Sequence, residues 1–432
     1  MRVNSFSGAV ASLAKPVVYT RENHSISRKQ ISSAALKVLY TLNDNGYRGC
    51  LVGGGVRDLL LGRTPKDFDI ATDARPERVR EIFKNSRLIG RRFRLAHVRF
   101  GREIIEVATF RSGHESSNSG AGISQDGQIL RDNVYGTLEE DVWRRDFTIN
   151  ALYYDIRDFS VIDYVGGMTD LRQGIIKLIG EPTVRYREDP VRMLRAIRFA
   201  AKLDFIITKP TMSLVPILAH LLNEISPARL FDESMKLFHG GHALAVYERL
   251  SEIGLLTLLY PGMGKVQDSE LDSHNRFVRD ALQNTDQRML NGKSVNPAFL
   301  ISVFLWYSMK TTYSVEIYRG KNQKDALRFA FDKVLAEQTR RLAIPKRLTQ
   351  AIRDIWELQA RFLNRTPRRA SRLLEAPKFR AAYDFLSLRA GDDKATLQLV
   401  DWWERFQVAD YGKRKQLFQE VKYSKKRRQI KV

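Results

Sequence analysis

The sequence predicts an α+β fold in which a small mixed sheet with flanking helices precedes an all-α remainder. Short apolar runs separated by glycine-containing turns fill residues 46–165, as is typical of strands. After Gly166 and Gly167 the apolar residues recur at helical spacing. A chain of 432 residues is also too long for one ordinary core, so roughly two to four compact units are expected.

The first region alternates between helix and strand patterns. Asn45 and Gly46 end the first predicted helix, and Gly101-Arg102 has the form of a two-residue hairpin turn. The predicted elements are a helix at 31–42, a strand at 49–52, a helix beginning at 56, a strand at 68–71, a helix at 76–83, and strands at 97–100 and 103–110.

The helical remainder contains two strong start signals. Asp189 precedes Pro190 and Ser226 precedes Pro227, and both pairs suit the first turn of a helix. Further helices are predicted at 230–238, 243–259, 298–307, 326–342, 350–362 and 379–388.

The charge balance indicates a polyanionic partner. Lys and Arg number 72 against 49 for Asp and Glu, which gives a net charge of +23. Such an excess costs folding energy through self-repulsion, so nucleic acid is the first partner to consider. The alternative is a basic protein whose charge is merely scattered over its surface.

The cysteine content limits the possible cofactors and compartments. Cys50 is the single cysteine, which excludes an intrachain disulfide and a multi-cysteine metal site and fits a reducing cytoplasm. His239 and His242 lack a neighbouring carboxylate of ligand type, so zinc is not expected. The sequence contains no run of 18 apolar residues, and a membrane span is therefore not predicted.

The segment Asp67-Phe68-Asp69 is the sharpest candidate for chemistry. Residues two apart on a strand point to the same face, so both carboxylates can converge on one site. Carboxylate oxygens suit Mg²⁺, and a pair of Mg²⁺ ions can activate an attacking hydroxyl and stabilise a leaving pyrophosphate. An Asp-x-Asp segment alone is more often a pair of solvated acids.

Glycines precede these acids. Gly53-Gly54-Gly55 would let backbone approach a triphosphate closely, and Arg57 follows at the start of the next helix. A tight strand-to-helix turn would need the same small residues. No lysine of the Walker type follows, so a P-loop is not predicted.

Two further segments carry clustered arginines. Arg144 and Arg145 adjoin Asp146, and adjacent guanidinium groups need an anion, whether a carboxylate or a phosphate. In the segment 188–195 (EDPVRMLR), Arg192 and Arg195 share one helical stripe. An ordinary solvated basic face is the alternative for that stripe.

These segments together resemble the class II nucleotidyltransferases, the branch that contains tRNA CCA-adding enzymes and bacterial poly(A) polymerases. The resemblance spans about residues 50–240 and implies a polymerase-β-like catalytic head followed by helical neck, body and tail regions. The four segments, in order, are 51–58 (LVGGGVRD), 67–69 (DFD), 144–151 (RRDFTINA) and 188–195 (EDPVRMLR). The domains expected on this basis are a flexible arm at 1–30, the head at 31–165, a base-recognising neck at 166–240, an RNA-binding body at 241–405 and a basic tail at 406–432.

The resemblance also implies residue roles. Asp67 and Asp69 would bind two Mg²⁺ ions, and Asp146 would complete the catalytic acids, although Glu106 on the strand 103–110 could instead be the third carboxylate. The residues expected to bind ATP are Gly53, Gly54, Arg57, Arg145, Asn150, Glu188, Asp189, Arg192 and Arg195.

The pair Asp189 and Arg192 explains only part of the base selectivity. A carboxylate accepts from the exocyclic amine of adenine or cytosine, and a guanidinium donates to the adjacent ring nitrogen. Guanine and uracil present a carbonyl instead and would leave the buried acceptor unpaired. The pair therefore cannot decide between poly(A) and CCA addition.

Other segments favour poly(A) addition. Residues 88–100 (LIGRRFRLAHVRF) resemble a stretch distinctive of the bacterial poly(A) polymerases, and so do 24–28, 342–347 and 377–384. The leading hypothesis is therefore ATP-dependent polyadenylation of RNA 3′ ends. The alternatives are a CCA-adding enzyme and, from another class, a non-catalytic RNA-binding protein on the same fold.

RNA contacts are predicted by charge alone, through Arg91, Arg92, Arg94, Lys346, Arg347, Lys425, Lys426, Arg427 and Arg428. The segment 422–431 is expected to be disordered in isolation. Trp356, Trp402 and Trp403 could stack on bases, but tryptophans at helical spacing are more often core residues.

The resemblance further implies mRNA, small regulatory RNA and decay intermediates as cytoplasmic substrates, with RNA-decay machinery and RNA chaperones as partners; peripheral membrane association is left open.

Overall fold

The computed structural model describes residues 15–90, 94–112, 134–265 and 268–429, without the side chains of 268–269 and 422–429. The chain divides into two compact units, residues 1–221 and 222–432. Within the described ranges, no helix is long and apolar enough to cross a membrane.

The first unit is built on an eight-stranded sheet. The strand order is β1-β8-β7-β2-β3-β6-β5-β4, in which β3 and β6 run parallel and all other neighbours are antiparallel. The strands are β1 Val17–Tyr19, β2 Gly49–Val52, β3 Asp69–Thr72, β4 Ser86–Ile89, β5 Leu95–Phe100, β6 Glu103–Thr109, β7 Leu152–Asp155 and β8 Ser160–Asp163.

Nine helices accompany this sheet within the described part of the first unit. They are α1 Ser33–Asp44, α2 Gly54–Leu60, α3 Pro76–Ile82, α4 Leu138–Arg144, α5 Gly167–Gln173, α6 Pro182–Glu188, α7 Val191–Leu203, α8 Lys209–Ser213 and α9 Val215–Leu218. A parallel pair, β9 Ile175–Ile176 and β10 Ile206–Ile207, lies beside them.

The core of the first unit fixes the central strands. Every residue of β2 is buried, and Cys50 and Val52 pack with Ala71, Phe110 and Tyr153. Burial raises the pKa of Cys50 to about 12, so this thiol is a small core side chain. The central strands consequently offer a rigid base for the residues at their ends.

Residues 15–30, expected as part of a flexible arm, are ordered in the structure. Val17, Val18 and Tyr19 pair antiparallel with β8 and extend the sheet by one strand. The ring of His24 lies 2.9 Å from the carbonyl of Phe159. The pattern gave no sign of this strand, because an edge strand with exposed valines lacks the alternation that a half-buried strand shows.

The second unit is entirely helical in its described residues. Its helices are α10 Pro227–Phe238, α11 Ala243–Glu252, α12 Leu255–Leu259, α13 Asp268–Leu290, α14 Pro297–Tyr318, α15 Gln323–Leu342, α16 Lys346–Phe362, α17 Pro367–Leu374, α18 Phe379–Ala390, α19 Lys394–Val408 and α20 Tyr411–Gln429.

The three tryptophans that could have stacked on bases are core residues. Trp356, Trp402 and Trp403 are at most 2% exposed. Each indole N–H donates to a backbone carbonyl: Trp356 to Ser302, Trp402 to Leu417 and Trp403 to Phe362. A buried indole with its donor satisfied has no face left for a base.

The helix α20 includes residues 422–429 of the segment expected to be disordered in isolation, and its packed residues precede that segment. The helix runs from Tyr411 to Gln429, and Leu417 joins the buried cluster around Trp402 and Trp403 while Phe418 and Val421 pack against it. Because Leu417 and Phe418 lie four and three residues before Val421, these side chains share one face of α20, and this face packs on the cluster although the helix carries many cations.

Candidate active site

A glycine turn connects β2 to α2 and forms one wall of the site. Gly53 has a φ of 72°, a left-handed conformation that favours glycine. A methyl group at this position would lie 3.8 Å from both Asp69 Oδ2 and a terminal nitrogen of Arg145. The turn thus brings Gly53, an acid and a cation together, and α2 begins directly afterwards at Gly54.

Three carboxylates lie near the start of β3 without forming a closed ligand group. Asp69 is the first residue of that strand, Asp67 is exposed just before it, and Glu106 is the register partner of Asp69 on the parallel strand β6. The pKa of Asp69 is raised to about 6 by burial, then by Glu106 and Asp67, against the opposing effect of Arg145. Asp69 therefore lies within the electrostatic reach of both other acids.

These acids suit a divalent cation. Within the described ranges, no group of three or more His, Cys, Asp or Glu residues lies close enough to hold a metal ion as it stands. Burial is the main cause of the raised pKa of Asp69, and the nearby Glu106 and Asp67 add to it. The three side chains offer oxygen donors, the ligand type that magnesium prefers.

The buried guanidinium of Arg57 is held by hydrogen bonds to two side chains. It is 2% exposed, and it donates to Asp58 Oδ1 at 2.7 and 2.9 Å and to Asn150 Oδ1 at 2.7 Å. A methyl group at Gly54 would lie 3.5 Å from this guanidinium. Gly54, Arg57 and Asn150, all predicted nucleotide contacts, are brought together.

Arg145 is held in a similar way. Its guanidinium donates to the hydroxyl of Tyr153 at 2.6 Å and to Asp141 at 2.9 Å, and that hydroxyl donates to Asp141 in turn. Asp141 and Tyr153, like Asp58, position arginines and were not recognised in the sequence. Only Asp58 gave a signal, since it lies inside the segment LVGGGVRD.

Asp146 occupies a different environment from Asp69. Its carboxylate accepts from Arg195 Nε at 2.7 Å, from the Phe147 amide at 2.8 Å and from Asn150 at 3.2 Å. Burial would raise the pKa of Asp146, but Arg195 and these hydrogen bonds lower it to about 2. The structure thus couples Asp146 to Arg195 of α7, and it places Glu106 next to Asp69.

The segment predicted to recognise the base lies at the junction of α6 and α7. Glu188 accepts from Arg192 at 2.8 Å and from Arg185 at 2.6 Å. Asp189 Oδ1 accepts from the Val191 amide at 3.3 Å, but the N-cap of α7 is Pro190 and not Asp189 as predicted, because the helix begins at Val191, one residue later than expected. Glu188, Asp189 and Arg192 therefore share one corner.

Buried arginines surround this corner. Burial, together with the neighbouring Arg111 and Arg185, lowers the pKa of Arg144 to about 9. Arg111 is 8% exposed and lies just beyond β6. Concentrated positive charge of this kind favours a polyanionic ligand such as a triphosphate. Arg111 gave no signal in the sequence because nothing around it marks it as buried.

The weaker RNA-contact candidates are scattered. Arg94 pairs with Glu77 at 2.8 Å, and Lys346 and Arg347 are exposed at the start of α16. Arg91 and Arg92 lie outside the described residues, as do the side chains of Lys425, Lys426, Arg427 and Arg428, whose backbone belongs to α20.

Comparison with known proteins gives three family-model matches and close relatives. The models are the poly A polymerase head domain at residues 50–177, the probable RNA and SrmB-binding site of polymerase A at 204–265, and the polymerase A arginine-rich C-terminus at 319–431. A poly(A) polymerase I of Escherichia coli O6:H1 is 54% identical over 93% of this chain and 89% of its own.

CCA-adding enzymes are more distant. That of Bacillus pumilus is 38% identical over 54% of this chain and 57% of its own length. The solved structure of the Bacillus stearothermophilus CCA-adding enzyme in complex with CTP superposes with a TM-score of 0.59, at 25% identity over 88% of this chain and 82% of that one. The fold is thus shared with a CCA-adding enzyme, whereas sequence identity along the chain is higher to the poly(A) polymerase.

Proposed function

This chain belongs to the poly(A) polymerase family of nucleotidyltransferases, and on that premise we propose that it adds adenylate from ATP to RNA 3′ ends at the site of Asp67, Asp69 and Glu106. The observation that carries the site assignment is the position of Asp69 beside Gly53 and Arg145, with Glu106 as its register partner. The high identity to poly(A) polymerase I along most of the chain, against 38% over about half of it for a CCA-adding enzyme, supports poly(A) addition over CCA addition.

The catalytic acids would hold the metal ions. Bound Mg²⁺, as two ions, supplies a Lewis acid that favours the 3′-oxyanion and the leaving pyrophosphate. Asp67, Asp69 and Glu106 provide hard oxygen ligands, and the rigid sheet keeps Asp69 and Glu106 at neighbouring register positions. Glu106, and not Asp146, is the third carboxylate of this proposal, because Glu106 is the register partner of Asp69 and contributes to its raised pKa, whereas Asp146 accepts from Arg195. Glu106 also lies 3.2 Å from His97, a pair that carries opposite charges only when the imidazole is protonated.

The arginines would hold the nucleotide. Arg57 and Arg145 are fixed by Asp58 and Asp141, so their guanidinium groups are oriented before ATP arrives. Preorganised cations next to the reacting phosphorus stabilise the charge that develops in the transition state. Gly53 and Gly54 keep this space clear of side chains.

The corner of Glu188, Asp189 and Arg192 would select the base. Asp189 would accept from the exocyclic amine and Arg192 would donate to the ring nitrogen, while Glu188 holds Arg192 in place. Arg195 and Asn150 act through Asp146, which joins both of them to the start of the segment 147–151.

A nucleotide panel tests the reaction. The protein is incubated with Mg²⁺, a primer unrelated to tRNA, and each NTP separately. Long tails from ATP alone are expected. Addition that stops after three nucleotides on a trimmed tRNA would establish CCA addition instead, and binding without any synthesis would establish a non-catalytic protein.

A pair of variants tests the third carboxylate. Glu106→Gln should lower kcat by at least about a hundredfold while RNA affinity stays unchanged, because metal ligation serves the transition state. Asp146→Asn should lower protein stability and affect kcat less. A larger kcat loss for Asp146→Asn than for Glu106→Gln in folded protein would reverse the assignment, and Asp67→Ala or Asp69→Ala with full activity would refute the site.

The biological consequence is also a proposal. Unstructured 3′ tails on mRNA, small regulatory RNA and decay intermediates would give exonucleases of the decay machinery a place to begin, with RNA chaperones as further partners, in the cytoplasm. The support for RNA as substrate is the family match at 204–265 and the excess of cations. RNA half-lives in cells that carry Asp69→Ala in place of the native chain would test it: longer half-lives are expected.

A further inference from the structure

Two adjoining cavities lie in the second unit. One measures about 540 Å³ and the other about 320 Å³, within the range of roughly 300–1,000 Å³ that is usual for ligand sites. They share a wall formed by residues 294–296, which precede α14, and by Lys378, which precedes α18. A ligand could therefore continue from one cavity into the other.

Each cavity contains one partly exposed aromatic ring. Phe231 of α10 lines the larger cavity, and Phe299 of α14 lines the smaller one. Other phenylalanines of the second unit, such as Phe304 and Phe362, are fully buried. A partly exposed ring in the wall of such a cavity offers a surface on which a nucleobase can stack.

Cations outnumber acids in both cavities. Arg347 and Lys378 face Asp354 in the larger cavity, while Arg288, Lys378 and Arg380 face Asp384 in the smaller one. Arg380 pairs with Asp384 at 2.9 Å. Among the described residues, Arg288, Arg347 and Lys378 have no carboxylate at ion-pairing distance.

We propose that the two cavities bind two consecutive nucleotides of the RNA substrate, with one base on Phe231, the next on Phe299 and the linking phosphate at Lys378. This inference rests on the proposed function, which makes single-stranded RNA the substrate. The shared wall favours consecutive nucleotides over a single free one, because Lys378 lines both cavities and can therefore contact a phosphate that links the two nucleotides. Stacking and phosphate contact are both independent of sequence, as a primer of arbitrary sequence requires.

The experiment uses the full-length protein and a short single-stranded primer that carries 2-aminopurine at successive positions. Stacking quenches this fluorophore, so quenching is expected at two adjacent positions. Phe299→Leu and Phe231→Leu should each relieve quenching at one of the two positions and weaken RNA binding about tenfold, the smaller part of the range for a lost base stack. The KM for ATP and kcat at saturating RNA should not change.

Lys378→Gln provides a second, independent variant that leaves both rings in place. It should weaken RNA binding and lower the slope of log affinity against log salt by about 0.7, the value for one phosphate contact on a single strand. Phe329→Leu and Arg328→Gln are matched controls, because Phe329 is 38% exposed and both residues lie outside the cavities. Neither control should alter RNA binding.

Three results would overturn the inference. The first is unchanged RNA affinity and quenching in all three cavity variants. The second is quenching at a single primer position only. The third is competition by AMP alone at concentrations well below those of the primer, which would make this a mononucleotide site. The binding readout does not depend on catalysis. Failure of the proposed function would instead appear as a wild-type protein that binds RNA but incorporates no ATP.

Discussion

At the scale of single residues, Asp69 and Asp146 show how environment decides the role of a carboxylate. Burial and nearby acids raise the pKa of Asp69 to about 6, whereas Arg195 and hydrogen bonds outweigh burial and lower the pKa of Asp146 to about 2. The sequence indicated both as catalytic acids. It could not separate them, because the motif does not record which cation or acid each one faces in the folded chain.

Asparagine substitutions should therefore change stability in opposite directions. Asp146→Asn should destabilise the first unit by about 2 kcal/mol at pH 7, since a pKa lowered by almost two units contributes about that much. This contribution is present above pH 4 and is lost as the pH falls towards 2. Asp69→Asn should stabilise the unit by roughly 2–3 kcal/mol above pH 6, because the raised pKa marks a carboxylate whose charged form is unfavourable in the folded state.

Denaturant unfolding with a metal chelator present measures both effects, since bound Mg²⁺ would otherwise stabilise the aspartate form. The Asp69 effect should disappear below about pH 4, where the wild-type side chain is protonated in both states. Equal destabilisation by the two variants would contradict the environments described above.

Gly53 is the second residue whose role can be isolated. Gly53→Ala should cost about 1–2 kcal/mol through its positive φ and should also lower activity by more than about tenfold, since the new methyl group lies against Asp69 and Arg145. Gly46→Ala is a matched control, with a φ of 81° and no atom within 4 Å of the added group. It should show a similar loss of stability in denaturant and normal poly(A) synthesis, so equal activity of the two variants would place Gly53 outside the site.

At the scale of elements, the local sequence pattern predicted individual helices and strands but did not predict which strands pair with each other. The helix expected at 31–42 is α1 at Ser33–Asp44, and the strand at 49–52 is β2. The register between β3 and β6, which sets Glu106 beside Asp69, depends on strands far apart in sequence and is invisible to local periodicity. The same limit explains the missed edge strand β1 and the docked helix α20.

The docking of α20 can be tested through one buried leucine. Leu417 is 5% exposed and packs in the cluster with Trp402 and Trp403, so Leu417→Ala should destabilise the second unit by about 2–4 kcal/mol. It should also raise proteolysis within residues 411–429 and change tryptophan fluorescence. Val408→Ala, at a position 86% exposed, serves as the control and should be nearly neutral. Unaltered stability of Leu417→Ala would mean that the tail does not pack on this cluster.

At the scale of the whole molecule, composition alone predicted the class of partner. The net charge of +23 points to a polyanion, and the family matches to RNA-binding and arginine-rich segments agree with it. Composition could not say where the charge acts, because many cations pair with acids on the surface, as Arg276 does with Asp392 and Arg405 with Glu420. Folded geometry is needed to separate paired cations from those available to phosphate.

The salt dependence of binding measures how much of this charge meets RNA. If about four to six phosphates are contacted, log affinity for a single-stranded primer should fall against log salt with a slope of roughly −3 to −4, because each contact on a single strand contributes about 0.7. The KM for ATP should depend on salt much less, since Arg57 and Arg192, which are proposed to hold the nucleotide, are buried and their charges are weakly screened. Filter binding and initial rates over a salt series give both quantities. A slope shallower than about −1 for RNA would show that the excess charge serves solubility, and the assignment of the second unit to RNA binding would then lose its electrostatic basis.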